Sequence, residues 1–304
     1  MDASGIGGTH LAREIATQPG DWLDAAAKAG EHAALLPRPG ERVAVVGCGT
    51  SFYMAQSYAA LREGAGQGLT DAWAASEHRL ERGYDRIIAL TRSGTTTEVL
   101  RVLERYGSLA TVITADGATP AVELADAIVM ADVDERSVVQ TRFATTALAL
   151  LRASLGEDLT RASRDAQAVL DEGDAGLGPA LHADQVTFVG RGWTVGLAEE
   201  AALKLRESAQ AWSESYPAME YRHGPISVTT EGRVTWAFGD VPAGLPAQVH
   251  ATGGHFEHAQ GRDPMADLVR VHLLCLARAA AAGLNPDEPR GLTRSVVLDA
   301  AQVP

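Results

Sequence analysis

Residues 42–66 read RVAVVGCGTSFYMAQSYAALREGAG. The first six form an apolar run that ends on a glycine, preceded by the turn signal Arg38-Pro39-Gly40. Such a run between turn signals marks a strand buried on both faces. The segment after Ser51 has helical character and stops at glycines. Between strand and helix lies Gly47-Cys48-Gly49-Thr50-Ser51, where the glycines allow a tight turn and the helix start can hold an anion. Phe52 occupies the third glycine position of a dinucleotide fingerprint, and no Walker A lysine motif is present.

Working outward, residues 9–35 read as two short helices, THLAREIATQ and DWLDAAAKAGEHAALL, split by Pro19-Gly20. Downstream, a strand passes through LTDAWAASE in the 70s, followed by the strand RIIALT at 86–91 and the helix TTEVLRVLERYG, with Gly107 as its C-cap. LATVITAD at 109–116 and AIVMAD at 127–132 are further strands, and a long helix begins near Gln140 with Ala147, Leu148, Leu150 and Leu151 as apolar positions. This βαβα order predicts an α/β fold, a parallel sheet covered by helices on both faces. The pattern restarts with VTFVGRG at 186–192, a helix, PISVT at 225–229, VTWAFG at 234–239, AQVHAT at 247–252 and the helix LVRVHLLCLARAAAAG. Gly47-x-Gly49 and Gly190-x-Gly192 both follow a β run and precede a helix, and at the same offset of 143 Ala59 matches Ala202. Two copies of one α/β unit are expected: N-terminal helices over 1–35, a first domain over 36–165, a connection over 166–183 and a second domain with a C-terminal tail over 184–304.

The chain has 304 residues, 46% of them hydrophobic, enough for one large core or two ordinary ones. Its 26 basic and 39 acidic side chains give a net charge of −13, which argues against nucleic-acid and anionic-membrane partners but leaves room for a local positive pocket. Two cysteines, Cys48 and Cys275, make no disulfide framework, and a reducing, cytoplasmic setting is expected. The opening MDASGIGGTHLAREIA lacks the pattern of a signal peptide, and the alanine-rich run at 277–283 is too short to cross a bilayer.

Thr91-Arg92-Ser93-Gly94-Thr95-Thr96-Thr97-Glu98 follows a strand directly and opens a helix. Five hydroxyls around one glycine at the carboxyl end of a strand suit a phosphate monoester, and capping alone needs only one. Ser51, Ser93 and Thr96 are the best donors; Arg92 either adds charge or faces solvent. Residues 135–142, ERSVVQTR, bring Val138, Gln140 and Thr141 to the same ligand or form another helix cap. In the stretch EAALKLRESAQAWSESYPAMEYRHGP at 200–225, Glu200, Lys204 and Glu207 share one helix face. Ala198, Ala202, Leu205, Ala209 and Trp212 fall on the other. The polar stripe either lines a site or forms a solvated ion-pair ladder.

GCGTSFYMAQSYAALRE, LTRSGTTTEVLRVLE, ERSVVQTRFATT, the 200–225 stretch and DEPRGLTRSV, in this order, resemble sugar isomerase (SIS) domains, above all the isomerase half of glucosamine-6-phosphate synthase. The resemblance covers nearly the whole chain. It implies two tandem flavodoxin-like SIS domains, a phosphosugar ligand, a homodimer with shared sites, and no metal or nucleotide cofactor. It implies a phosphate site at Ser51, Ser93, Gly94, Thr95 and Thr96, flanked by Gly49 and Thr50. Glu207 matches the glutamate that moves a proton between C1 and C2, Lys204 an active-site lysine, and His223 a ring-opening histidine supplied by the neighbouring subunit.

Aldose–ketose interconversion needs a base that takes a proton beside a carbonyl and returns it to the adjacent carbon. A nearby cation stabilises the developing oxyanion, and histidine exchanges protons near neutral pH for ring opening. Two departures shape the expectation. Arg294 stands where the family carries a lysine, and arginine does not readily form a Schiff base. No glutaminase segment with a cysteine nucleophile precedes the first domain. The resemblance therefore points to an amino-sugar phosphate isomerase or deaminase. A deglycase of ketosamine phosphates and a phosphosugar sensor without catalysis are the alternatives.

Overall fold

The computed structural model describes residues 8–299, so residues 1–7 of the stretch on which the absence of a leader was read lie outside the described residues. The chain forms two compact units. One comprises Asp21–Glu135, Arg142–Asp158 and the segment from Gly291 onward; the other comprises the residues up to Gly20, Arg136–Thr141 and Leu159–Arg290.

In the first of these, five parallel strands, β1 (Val43–Gly47), β2 (Thr70–Ala74), β3 (Arg86–Leu90), β4 (Ala110–Thr114) and β5 (Asp126–Val129), run in the order β2-β1-β3-β4-β5. Register is fixed by pairs such as Val43↔Thr70 and Val46↔Ala89. Val43, Ala44, Val45 and Val46 are all fully buried. Ala44, Val46, Ile87 and Ala89 pack with Val102, Leu103 and Ala121 from helices α3 (Thr97–Tyr106) and α4 (Pro120–Leu124). Val43 and Val45 alternate to the opposite face. There, α2 (Thr50–Gly64) packs on β1 and on α5 (Arg142–Ser154).

The other unit holds four parallel strands, β6 (Gln185–Gly190), β7 (Ser213–Pro217), β8 (Arg233–Phe238) and β9 (His255–His258), in the order β7-β6-β8-β9. Helices α7 (Thr194–Ala209) and α9 (Pro264–Ala281) pack on each other, and α6 (Thr160–Glu172) packs on α9. Val189, Ala218, Tyr221, Ala237, Leu245 and Val249 form a separate core cluster that includes α8 (Leu245–Ala251). Both sheets have the strand order of flavodoxin-like domains, as expected of tandem SIS units.

Several local expectations are corrected. Residues 10–28 form one helix, α1 (His10–Lys28), and not two split at Pro19; the segment after Lys28 is a series of turns. Proline has no N–H to give the carbonyl four residues back, and the side-chain amide of Gln18 donates to that carbonyl, Ile15 O, at 3.4 Å. Gly107 ends α3 in right-handed backbone, not as a left-handed cap. Its requirement is space, because a Cβ there would lie 1.9 Å from Leu124 O. PISVT is a 3₁₀ turn, Pro225–Val228, and AQVHAT belongs mostly to α8. Trp212 does not extend the apolar face of α7. The helix ends at Ala209 with Gln210 left-handed, and Trp212, 49% exposed, lies under the Arg233 guanidinium.

Cys48 and Cys275 are free thiols, and burial pushes both up to about 12. Among the described residues no helix is long and apolar enough to cross a membrane.

Candidate active site

The residues expected to hold a phosphate gather at the carboxyl ends of β1 and β3, neighbours in the first sheet. A Cβ on Gly47 would lie 2.7 Å from the backbone carbon of Ser51, so glycine is what lets α2 start directly over the strand end. Gly49 has φ 53, and Thr50 and Ser51, both buried, form the first turn of α2. After β3, Thr91, Arg92 and Ser93 are buried. Gly94 has φ 62, and a Cβ on it would lie 2.0 Å from Thr119 Oγ1.

The loop hydroxyls are clustered. Thr91 Oγ1 accepts from Gly94 N at 3.2 Å. Ser93 Oγ accepts from Thr95 N at 3.3 Å and lies 3.1 Å from Thr95 Oγ1. Ser295 Oγ, from the C-terminal segment, lies 3.0 Å from Thr95 Oγ1 and 3.4 Å from Thr96 Oγ1. That segment is also tied by its backbone: Thr97 N donates to Val296 O, and Leu298 N donates to Thr97 Oγ1.

Arg92 is buried, not solvated. Its guanidinium lies 3.6 Å from the buried Glu135 carboxylate and donates to Arg294 O at 3.1 Å. Arg294 in turn bonds Glu135 O and the Asp134 carboxylate. Glu135 also accepts from Arg142 N at the start of α5, at 2.7 Å. Asp134 and Glu135 were not among the expected site residues, because their partners lie far off in the sequence.

Val138, Gln140 and Thr141 fall in the unit of the second sheet, together with Lys204, Glu207 and His223; Ser51 and the 93–96 loop fall in the other. Their segment is fastened to α1, where the Glu14 carboxylate accepts from Arg136 N, Ser137 N and Ser137 Oγ. Val138 N donates to Asp287 O at 2.9 Å, and the Asp287 carboxylate accepts from His10 N and Leu11 N at the start of the same helix. Thr141 is buried and Gln140 half-buried.

The polar stripe of α7 is covered rather than solvated. Lys204 and Glu200 are each 1% exposed and Glu207 is 18% exposed. The Lys204 ammonium bonds the Glu207 carboxylate and lies 3.6 Å from Glu200 Oε1. The cover is α9: burial, and then the Lys204 charge, lower the pKa of His272 to about 3. His272 is therefore a neutral imidazole. Gln18 Nε2 lies 3.2 Å from its Nδ1, which makes Nδ1 the acceptor and places the ring proton on Nε2. His272 was not among the expected site residues, because its partners Gln18 and Lys204 lie far off in the sequence.

His223 is exposed, on the 3₁₀ turn Glu220–His223. Its loop is anchored by the buried Tyr221, whose hydroxyl bonds Thr229 and Thr235, and by Arg222, which donates to Gln248 Oε1 and Ala243 O. Chemically, α7 offers a carboxylate at a solvent-reaching edge with a sealed cation behind it. The first unit offers a nest of hydroxyls. Among the described residues no group of three or more His, Cys, Asp or Glu side chains is placed to hold a metal ion.

No protein-family profile matches the chain. It is 26% identical over 310 residues to glutamine–fructose-6-phosphate aminotransferase (isomerizing) of Pyrobaculum aerophilum, covering 84% of this chain and 51% of that protein. To the same enzyme of Sulfolobus acidocaldarius it is 27% identical over 298 residues, covering 85% and 50%. The chain thus spans about half the length of these relatives. Among solved structures, glucosamine-6-phosphate deaminase of Thermotoga maritima superposes with a TM-score of 0.76 at 23% identity, over 95% of this chain and all of that one. The C-terminal domain of glucosamine-fructose-6-phosphate aminotransferase from Francisella tularensis gives 0.77 at 19% identity, over 95% of this chain and 100% of that one. Tagatose-6-phosphate ketose/aldose isomerase of Escherichia coli gives 0.79 at 17%, over 99% and 100%. These structural likenesses establish the fold. Two parallel α/β sheets, and relatives that align along most of its length, make the chain similar in sequence and in fold to the isomerase half of the glutamine–fructose-6-phosphate aminotransferases.

Proposed function

We propose that the chain is a phosphosugar aldose–ketose isomerase and deaminase, converting glucosamine-6-phosphate or an epimer to fructose-6-phosphate or its epimer and ammonia. The observation that carries this reading is the α7 pair: a cation sealed at 1% exposure, bonded to a carboxylate that still reaches solvent. The relatives are fructose-6-phosphate aminotransferases and the Thermotoga protein that the fold resembles is a glucosamine-6-phosphate deaminase, so both kinds act on sugar phosphates.

In this reading Ser51, Ser93, Gly94, Thr95 and Thr96 hold the phosphate, and His223 of a second copy opens the ring. Glu207 takes the proton from C2 of the open-chain aldehyde, giving an enolamine, and returns it to C1, giving an imine at C2. Water adds to that imine and ammonia leaves, so the ketose phosphate is the second product. Lys204 orients Glu207 and offsets the charge that develops on the C1 oxygen. Arg294 holds the C-terminal segment beside the phosphate loop and makes no imine.

The test is product analysis with glucosamine-6-phosphate and galactosamine-6-phosphate, following ammonia and ketose phosphate together. Equal amounts of both products, abolished by Glu207→Gln, support the reading and identify the preferred epimer. No turnover of either, with clear thermal stabilisation by sugar phosphates, overturns it in favour of a sensor or of a deglycase, which glycated amino-acid phosphates then separate. A shared site is tested by mixing inactive Glu207→Gln and His223→Ala proteins. Partial recovery after subunit exchange is expected, and none despite proven exchange sinks the shared site.

A further inference from the structure

The repeat places a second strand-end glycine turn, Gly190-Arg191-Gly192-Trp193-Thr194, where the first half has Gly47-Cys48-Gly49-Thr50-Ser51. The function proposed above uses only the first of them. The second turn closes β6 and opens α7, and it is as tightly built. A Cβ on Gly190 would lie 2.2 Å from Thr194 O, and the Thr194 hydroxyl donates to Phe238 O at 3.0 Å.

Beside this turn lies a cleft of about 690 Å³. Arg191 and Trp193 enter it after β6, Asp240 after β8 and His258 at the end of β9. The strand order reverses between β6 and β8, and open parallel α/β sheets bind ligands in the crevice at that point. The volume is in the range that holds a metabolite.

Cationic side chains are gathered around the cleft. Three arginines, Arg161, Arg191 and Arg262, line it against one carboxylate, Asp240, in a protein whose acids outnumber its bases by 39 to 26. Two of the arginines are held in place: Arg161 by Gly261 O and Asp165, Arg262 by Glu172. Arg191 is exposed, and its guanidinium makes no hydrogen bond or ion pair among the described residues. An unengaged guanidinium matches the paired oxygens of a phosphate. Trp193 and the wall of Pro242, Pro246 and Pro264 supply apolar surface for the organic part.

We infer that this cleft is a second binding site, for a phosphate monoester of metabolite size, with Arg191 as its anion ligand. It is separate from the α7 pair. At about 1.5 Å per residue, Glu207 lies about 20 Å along the helix from Thr194, so an occupant does not reach the Lys204–Glu207 pair. The inference does not depend on turnover.

The test is calorimetric titration of the full chain with glucose 6-phosphate, with glucose as the neutral control. Wild type is expected to bind the phosphate at two sites per chain, and Arg191→Gln at one. In the Ser93→Ala/Thr96→Val background one site remains; Arg191→Gln then weakens it by about tenfold or more, with Arg191→Lys intermediate. The unfolding midpoint should not move with Arg191→Gln, since that side chain makes no bonds. Unchanged stoichiometry and affinity in Arg191→Gln overturn the proposal, as does binding of inorganic phosphate with glucose 6-phosphate excluded.

Discussion

On α7 the ammonium of Lys204 bonds the carboxylate of Glu207, with the lysine sealed from solvent and the glutamate at its edge. Glu200, one turn back, is sealed as well. The cation is therefore shared between a carboxylate with no access to water and one that keeps some.

That sharing makes Lys204 a residue of stability as well as of chemistry. Lys204→Met removes the ammonium 3.6 Å from the buried Glu200 carboxylate, and breaking a buried pair in this way costs about 3–5 kcal/mol. Glu200→Gln together with Lys204→Met should recover part of the loss, with a coupling of about 1–3 kcal/mol in a double-mutant cycle. Urea unfolding of the four proteins measures it. Strict additivity would mean that the pair contributes no direct interaction.

Glu207→Gln separates the two roles. The amide keeps a polar contact with Lys204 but cannot take a proton, so turnover should fall by about two to four orders of magnitude. Sugar-phosphate binding should persist, because the phosphate loop is on another element. Steady-state kinetics with a binding titration checks both, and equal loss of binding and turnover would remove Glu207 from the proton transfer.

Gly94 tests the phosphate loop by shape. It combines φ 62 with a Cβ position 2.0 Å from Thr119 Oγ1, so Gly94→Ala meets backbone strain and a clash together. A left-handed non-glycine residue alone costs about 1–3 kcal/mol. Thr119→Ala in the same chain should relieve the clash and leave the strain, giving a partial recovery of the unfolding midpoint. Full recovery would show that the φ value is not the constraint.

The central strands were legible because each is a continuous apolar run: VAVVG in β1, RIIAL in β3 and VTFVG in β6. The edge strands of the second sheet were not. SESYP in β7 and HFEH in β9 are half-exposed and polar, and an edge strand needs no apolar run to hold its place. Helical spacing placed Glu200, Lys204 and Glu207 on one face, but spacing does not say what covers a face. The cover comes from His272 on α9, beside Gln18 of α1, far apart in sequence. The same distance hid the link of Arg92 to Arg294, which spans 202 positions. Pro19 misled because the Gln18 side chain takes over the hydrogen bond that the proline lacks.

Stability against pH should be shaped by two buried groups of opposite sign. Burial, then the Lys204 charge, lower His272 from 6.5 to about 3. Between those values the unfolded chain binds a proton that the folded chain refuses, so acid removes stability at up to about 1.4 kcal/mol per pH unit. Burial raises Asp267 from 3.8 to about 6, against the opposing Trp236 hydrogen bond and the Arg270 charge. Between those values the folded chain holds a proton that the unfolded chain lacks, so acid adds stability. From pH 6 to about 4 the two effects oppose each other. Asp267→Asn, which can still accept from Trp236, should therefore steepen the acid loss in that window relative to wild type, and His272→Gln should flatten or reverse it. Differences between the curves of the three proteins read the contributions of the two groups. Chemical unfolding at half-unit steps of pH reads the slopes. An Asp267→Asn curve parallel to wild type would mean that Asp267 is already ionised in the folded chain throughout the window, its charge held by Trp236 and Arg270.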